Sequence, residues 1–266
     1  SDISAIAVSI NPGLIGSLIV GLAFAKSLAW SLSLPLVTVN HMLAHIFANC
    51  IEHKEIKPPF LAMVVSGGHT ELVQFDTLVS FQIVGKTLDD AAGESFDKTA
   101  KLLGLGFPGG PIIDDLAKNG NPDFIRFPRA LPQKDNFNFS YSGLKTAIRT
   151  WLVNQKPEIL NDKLPDIAAS VQQAIIEPLV NKSVLWARQH KIPYILLAGG
   201  VAANSALRKQ VTQSAAKYGI KVFYPSTAFC MDNAAMVGAA AIPKFLVGDY
   251  APLTVNVSSK KGTRTV

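Results

Sequence analysis

The sequence YILLAGGVAAN, Tyr194–Asn204, is the segment most diagnostic of the fold class. Apolar residues typical of a buried strand run directly into Gly199-Gly200, and helix-forming residues follow from Ala203. Strands, turns and helices alternate in the same way along the rest of the chain, which predicts an α/β fold with layered sheets. Nucleotide-binding proteins place a phosphate or an adenosine at such a junction, although a tight strand-to-helix connection needs the same glycines.

The composition narrows the class of protein. Hydrophobic residues make up 48% of the 266 residues and charged residues 17%, which excludes disorder for most of the chain. The most apolar stretch, Leu14–Leu36, is interrupted by Lys26 and by several Ser and Gly residues, so we predict no membrane span. Two cysteines, Cys50 and Cys230, cannot form a disulfide framework and suit a reducing cytoplasm. A net charge of +6 permits an anionic partner without requiring one.

A histidine pair follows a short apolar strand. His41 and His45 fall in a helix predicted for His41–Ile51, where positions i and i+4 share one face, so both imidazoles can reach one metal ion. Two core histidines at this spacing also arise by chance. Met42 stands where a zinc metalloprotease motif carries its general-base Glu, so the sequence does not support that mechanism.

Two imidazoles need at least one further ligand to hold a metal. Asp232 opens the helix predicted for Asp232–Phe245, where the common alternative role of an Asp is to cap the helix. Two His and one carboxylate would leave several coordination positions open and would suit Fe(II) or Zn(II) as a Lewis acid.

Two further glycine-rich segments interrupt the apolar pattern. Val64–Gly68 ends a predicted strand, and its glycines let backbone N–H groups approach an anion, although many hairpin turns have the same composition. Pro108–Pro111, with Asp114 close behind, follows the helix predicted for Asp97–Leu103, and the alternative reading is a surface loop.

Together these motifs resemble the TsaD family, the tRNA N6-adenosine threonylcarbamoyltransferases, formerly described as O-sialoglycoprotein endopeptidases. Their order and spacing agree along the whole chain. The matching segments are Pro12-Gly13-Leu14, Ser17-Leu18, His41 with His45, Val65–Thr70, Asp89–Gly104, Pro108–Pro111, Phe139–Lys145, Ala198–Asn204 and Asp232–Met236. The chain departs from the family at Leu43-Ala44, where Glu-Gly is usual, and at Asn11, where Gly is usual.

The resemblance implies an actin-like (ASKHA) fold of two α/β lobes with the site in the cleft between them. The first lobe would comprise 1–40 completed by 234–266, and the second would comprise 41–233. The family's opening strand and its Gly-Ile-Glu-Thr-Ser-Cys type turn do not occur in this sequence. We therefore expect a first lobe truncated at its N-terminus, a strand Ser4–Ile10 without sheet neighbours, and little transferase activity.

The resemblance also implies an activity and a set of ligands. A threonylcarbamoyl group would pass from threonylcarbamoyl-AMP to N6 of adenosine in tRNAs that read codons starting with A. One divalent metal, Fe(II) or alternatively Zn(II), would bind to His41, His45 and Asp232. The acyl-adenylate would lie against Val64, Val65, Ser66, Gly67 and Gly68. The nucleoside would be held by Asp97, Gly110, Asp114 and Asn204.

Partners follow from the same resemblance. Bacterial members of the family work in the cytoplasm with TsaB and TsaE type proteins. Basic side chains that are candidates for tRNA contact, or for an ordinary solvated surface, are Arg126, Arg129, Lys134, Lys145 and Arg149.

Two other functions remain open from the sequence. A metal-dependent glycoprotein endopeptidase is disfavoured by Met42. A non-catalytic scaffold similar to TsaB would be expected to lack the histidine pair, and this chain has it.

Overall fold

The computed structural model describes residues 2–258 and, within them, all side chains except those of 157, 158 and 161. Contacts within the chain group it into two units. The first unit consists of the described parts of Ser1–Pro58, Phe75–Gln82 and Pro225–Val266, and the second of Pro59–Gln74 and Ile83–Tyr224. The lobe boundaries expected above, 1–40 with 234–266 against 41–233, stay a prediction.

Strands and helices alternate along the described residues, as the sequence predicts. In chain order they are β1 (Ile6–Asn11), α1 (Ile15–Leu32), β2 (Leu36–Asn40), α2 (His41–Phe47), α3 (Asn49–Glu52), β3 (Phe60–Val65), β4 (Thr70–Phe75), β5 (Phe81–Lys86), α4 (Ala92–Leu102), α5 (Gly109–Ala117), α6 (Ser142–Val153), α7 (Pro157–Asp162), α8 (Leu164–Gln189), β6 (Tyr194–Ala198), α9 (Ser205–Ala216), β7 (Lys221–Phe223), α10 (Thr227–Cys230) and α11 (Ala234–Leu246). A 3₁₀ turn, Gly200–Ala203, joins β6 to α9.

The first unit contains a two-stranded parallel sheet. β1 pairs with β2, with Ile6 opposite Leu36 and Ser9 opposite Val39. The expectation that the first strand lacks sheet neighbours was therefore wrong, because β2 supplies backbone partners along one of its edges. β2 is buried over most of its length and leads directly into α2.

Only one narrow face of helix α1 is buried, and it faces β1. Leu22, Ala25 and Ala29 pack against β1, whereas Phe24 and Trp30 are 71% and 75% exposed. By length and composition alone this helix could cross a membrane. Core helices and signal sequences meet the same criterion, so this is weak evidence for a membrane span.

The second unit is built on a sheet in the order β5-β4-β3-β6-β7. β3 and β6 run parallel with Leu61 opposite Ile195, and β6 pairs in parallel with β7. Both central strands are apolar and almost fully buried, as expected for parallel strands covered on both faces. The core continues into α4, α5, α6, α8 and α9.

Helix α5 begins inside the glycine-rich segment Pro108–Pro111, for which a surface loop was the alternative reading. The helix begins at Gly109, with Pro111 in its first turn. Proline is tolerated there because the first N–H groups of a helix have no partner within it. The Pro/Gly signal therefore marks the start of a helix, and it places Gly109 and Gly110 at that start.

Candidate metal centre and glycine-rich turns

The histidine pair is positioned by the end of a buried strand. Asn40, the last residue of β2, caps α2, because its Oδ1 accepts hydrogen bonds from the N–H groups of Met42 at 2.8 Å and Leu43 at 3.2 Å. This cap fixes the start of the helix at His41. The predicted helix His41–Ile51 is in fact two short helices, α2 and α3, and both histidines lie on the first.

Three ligand atoms meet at this point of the first unit. Nε2 of His41 lies 3.3 Å from Oδ1 of Asp232, and Nε2 of His45 lies 3.1 Å from the same oxygen. All three candidate ligand atoms fall within 4.8 Å of one another. Donors bound at about 2.0–2.2 Å to one ion lie roughly 3 Å apart, so these distances fit a single metal ion.

The three candidate ligands differ in how far their side chains are exposed to solvent. His45 is 8% exposed, His41 is 26% exposed, and Asp232 is 76% exposed. A metal held by these groups would be fixed from the helix side and accessible from the side of Asp232. Such an arrangement leaves coordination positions for water or substrate, as catalytic sites require.

Asp232 does not cap the last helix. The cap of α11 is Asn233, whose Oδ1 accepts from the N–H of Met236 at 2.9 Å. The helix begins at Ala234, two residues later than predicted. The alternative role weighed for Asp232 is therefore taken by its neighbour, and the carboxylate of Asp232 lies beside the imidazoles.

A hydrogen bond between Glu52 and Ser226, which the sequence does not reveal, fixes the start of the segment that leads to Asp232. Oε2 of Glu52, at the end of α3, accepts a hydrogen bond from the N–H of Ser226 at 2.7 Å. This bond lowers the pKa of the Glu52 carboxyl, and the Ser226 side chain adds to the effect. The segment from Ser226 to Asp232 is thereby tied to the helices that follow the two histidines.

In the second unit, the turn after β3 is closed by its own serine. The Ser66 N–H donates to the His69 carbonyl at 2.8 Å, and the Ser66 Oγ accepts from the N–H groups of His69 at 3.1 Å and Gly68 at 3.4 Å. A Cβ atom added at Gly67 or Gly68 would meet nothing within 4 Å. The two glycines therefore border open space.

Two other glycines are needed for close packing beneath this turn. A Cβ atom at Gly93 would lie 2.6 Å from the Ser66 carbonyl oxygen, and one at Gly199 would lie 2.5 Å from the Val65 carbonyl oxygen. Gly199 also has φ of +86°, which L side chains rarely adopt. Both glycines lie in motifs visible in the sequence, but only the structure shows that they support the Ser66 turn.

The predicted nucleoside-binding residues form part of one hydrogen-bonded framework. Oδ1 of Asp97 accepts from the Gly109 N–H at 2.7 Å, which ties α4 to the start of α5. The two oxygens of Asp114 accept from the N–H of Ser205 at 3.0 Å and from its hydroxyl at 2.8 Å, which ties α5 to α9. Gly110 faces open space.

Asn204 completes this framework. Its Oδ1 caps α9 by accepting from the Leu207 N–H at 2.8 Å, and its Nδ2 donates to Oε1 of Gln172 on α8 at 2.6 Å. The residue is 7% exposed. The structure thus gives Asp97, Asp114 and Asn204 clear structural roles, and their contact with a nucleoside stays a prediction.

Asp89 organises a second segment that the sequence analysis did not assign to a site. Its Oδ1 accepts from the N–H groups of Tyr141 at 2.7 Å and Ser142 at 3.3 Å, and its Oδ2 accepts from the hydroxyls of Ser140 and Ser142. Partial burial alone would raise the pKa of this carboxyl, but the four hydrogen bonds outweigh it and lower the pKa. Asp89 therefore anchors the start of α6.

Comparison with protein families identifies close relatives. A family model described as "TsaD: tRNA N6-adenosine threonylcarbamoyltransferase" matches residues 1–239. Proteins named tRNA N6-adenosine threonylcarbamoyltransferase include one from Syntrophotalea carbinolica that is 50% identical over 258 residues, and one from Clostridium perfringens strain SM101 that is 49% identical over 257 residues. These alignments cover 97% and 96% of this chain and 75% of each relative.

Solved structures of similar fold are much more distant in sequence. The crystal structure of HypF from T. kodakarensis superposes with a TM-score of 0.68 at 16% identity, covering 93% of this chain and 41% of that one. A structure of full-length HypF in a phosphate- and nucleotide-bound form gives a TM-score of 0.62 at 15% identity, covering 84% of this chain and 38% of that one. At such low identity the likeness concerns the fold, and it supports the predicted α/β class.

Proposed function

Because the chain belongs to the TsaD family of tRNA N6-adenosine threonylcarbamoyltransferases, with an α/β fold of the actin-like class, we propose that it modifies adenosine in tRNA. The group transferred is threonylcarbamoyl, the donor is threonylcarbamoyl-AMP, and the acceptor is N6 of an adenosine in tRNAs that read codons starting with A. The observation that carries this proposal is the meeting of His41, His45 and Asp232 in a chain of this family.

The three candidate ligands suit one divalent ion. His41, His45 and Asp232 would hold it, with Fe(II) as the proposed ion and Zn(II) as the alternative, since both accept imidazole and carboxylate ligands. When bound, such an ion acts as a Lewis acid that polarises an oxygen of the substrate. The buried His45 would fix the position of the ligand set, and the exposed Asp232 would complete it on the solvent side.

The Ser66 turn supplies the features that an anionic adenylate requires. Gly67 and Gly68 border open space, so backbone groups there are accessible to a ligand. We assign the acyl-adenylate to Val64–Gly68. Asp97, Gly110, Asp114 and Asn204 are assigned to the nucleoside. The Asp97 and Asp114 oxygens that accept one hydrogen bond retain capacity for another, and Gly110 borders open space.

The proposed reaction needs no change of oxidation state. The bond between the carbamoyl carbon and the phosphate oxygen breaks, a bond from the same carbon to N6 of adenosine forms, and one proton leaves N6. AMP departs as a stable anion, so the demand for a strong general acid is small. Electrostatic stabilisation of the carbonyl oxygen and correct positioning of the two substrates therefore carry most of the rate enhancement.

No observation favours the two other functions. Met42 is 8% exposed and stands where a zinc metalloprotease of the HExxH type needs a glutamate. The intact ligand set does not suit a scaffold without catalysis. We further propose that the protein works in the cytoplasm with TsaB and TsaE type partners.

A single-turnover transfer assay tests this function. This chain, in excess over tRNA, is incubated with threonylcarbamoyl-AMP, Fe(II) and the two partner proteins, and the tRNA is digested to nucleosides for mass spectrometry. We expect threonylcarbamoyl on adenosine with the unaltered chain, and its loss with Asp232→Asn. An excess of enzyme over tRNA lets the assay detect product without multiple turnovers.

A further inference from the structure

A basic groove lies in the second unit, apart from the turns described above. One cavity of about 550 Å³ is lined by residues 129–134, by one face of α8 and by the end of α9. A second cavity of about 770 Å³ is lined by Glu177 and by the residues of 122–129 other than Phe124, so it shares Arg129 and Glu177 with the first. We call the two adjoining cavities the basic groove.

The charge of the groove is strongly one-sided. Among the described side chains, six cations and two carboxylates line it, the cations being Arg126, Arg129, Lys134, Lys182, Arg188 and Lys217. One of the carboxylates, Glu177, already forms an ion pair with Arg129 at 2.8 Å. The groove therefore holds much of the +6 net charge of the chain.

Lys182 places a largely buried positive charge in the wall of the groove. It is 8% exposed, it donates to the Asn138 carbonyl, and its ammonium lies 5.5 Å from the centre of the Phe139 ring. Among the described side chains, no carboxylate lies within 4.0 Å of its Nζ. Burial lowers the pKa of this amine, and an anion brought into the groove would offset that cost.

Several separated cations lie along the rim of the groove. Lys134 and Lys217 are exposed, and the Arg188 guanidinium lies 5.1 Å from the centre of the Tyr218 ring. A single phosphate or mononucleotide would fill a small part of the two cavities. An open groove with several separated cations suits a chain of phosphates, as in nucleic acid backbones.

We propose that the basic groove binds the phosphate backbone of the tRNA substrate. This inference rests on the proposed function. It divides the five basic residues identified in the sequence into those that line the groove and those that do not. Arg126, Arg129 and Lys134 line the groove, whereas Lys145 and Arg149 lie on α6 and do not line either cavity.

Salt-dependent tRNA binding tests the groove. The double variant Lys134→Gln/Lys217→Gln removes two exposed charges that form no ion pair with any carboxylate in the described part of the chain. We expect tRNA affinity to fall about tenfold at low salt and the slope of log affinity against log salt to decrease by about two, one for each lost phosphate contact. The matched control Lys54→Gln/Lys57→Gln, in the first unit, should leave both quantities unchanged.

Two results would overturn the proposal. Equal affinity and slope in the groove variant and the control would remove the groove from tRNA binding. Loss of inorganic phosphate or AMP binding in the groove variant, with tRNA affinity intact, would assign the groove to a small anion. If the unaltered chain transfers the group to tRNA in either case, the proposed function stands while the groove assignment fails.

Discussion

Oδ1 of Asp232 lies 3.1 Å from Nε2 of His45, although the two residues come from opposite ends of the described chain. The strand β2 and the cap at Asn40 place the histidine, and the residues between Ser226 and Asn233 place the carboxylate. This relationship joins a helical motif that is visible in the sequence to a ligand whose proximity only the fold can establish.

Removal of one ligand should release the metal. We expect His45→Ala to lose most of its bound ion while it keeps the far-ultraviolet circular dichroism spectrum of the unaltered chain, because two remaining ligands hold a divalent ion weakly. Elemental analysis by mass spectrometry, on protein purified without chelators, measures the occupancy. His190→Ala, an exposed histidine of the second unit, is the matched control. Full metal occupancy in His45→Ala would contradict the assignment.

Substitution at Gly67 should weaken AMP binding without destabilising the fold. The position borders open space, so Gly67→Val should change the melting temperature little while it weakens AMP binding by obstructing backbone approach. Isothermal titration calorimetry with AMP provides the measurement. Unchanged AMP affinity in this variant would exclude the Ser66 turn from the phosphate site.

Substitution at Gly93, which packs against the Ser66 turn, should lower the stability of the fold. A Cβ atom at Gly93 would lie 2.6 Å from the Ser66 carbonyl oxygen, so Gly93→Ala should lower the free energy of unfolding by about 1–3 kcal/mol. Urea unfolding of both glycine variants compares the two positions directly. Equal stability of the unaltered chain and Gly93→Ala would show that the turn and α4 are not in close contact.

The Asp89 carboxylate should stabilise the fold in a pH-dependent way. Its folded pKa is lowered, so its contribution is present above the unfolded value of about 3.9 and is lost as the pH falls through the folded pKa. Asp89→Asn should therefore be less stable than the unaltered chain at pH 7. Solvent screens this exposed carboxylate, so the difference should be about 0.5–1 kcal/mol and should shrink below about pH 4. Urea unfolding across this pH range tests the sign. A difference independent of pH would mean that the charge of Asp89 is not involved.

Asn204 should stabilise the fold through its cap on α9. Asn204→Ala loses the cap of α9 and leaves Gln172 without this donor, which should cost about 1–2 kcal/mol in the free energy of unfolding. Asn204→Asp keeps the capping acceptor, and the Gln172 amide can rotate to donate to it, so this variant should be closer to the unaltered chain. The reverse order of stability, measured by thermal unfolding, would contradict the role of the cap.

The alternation of strands and helices was predictable because it depends on local patterns. Apolar strands such as Tyr194–Ala198 and the i, i+4 spacing of His41 and His45 are properties of short segments. Asp232 was a candidate third ligand from its place at the start of a predicted helix, and the family resemblance assigned it to the metal, but no local pattern could give its distance from the histidines. Glycines and prolines were less informative, since Pro108–Pro111 suggested a loop and the structure begins a helix there.

Long-range side-chain contacts account for most of what the sequence left undetermined. Glu52 with Ser226, Asp89 with Ser142, and Lys182 with Asn138 each join segments that are distant in the chain. Such pairs have no periodic signal, because they depend on the tertiary packing that brings the segments together. The exposure of Gly67 and the crowding at Gly93 likewise depend on neighbours that are not adjacent in sequence.

The single-turnover transfer assay, run in parallel with the unaltered chain, Asp232→Asn and His190→Ala, decides whether this chain transfers the group and whether the metal ligands are needed. We expect threonylcarbamoyl on adenosine in the tRNA incubated with the unaltered chain and with His190→Ala, and none with Asp232→Asn. Equal product from Asp232→Asn would contradict a role for the metal ligands. Absence of product from the unaltered chain, under conditions in which the Clostridium perfringens relative transfers the group, would contradict the proposed function.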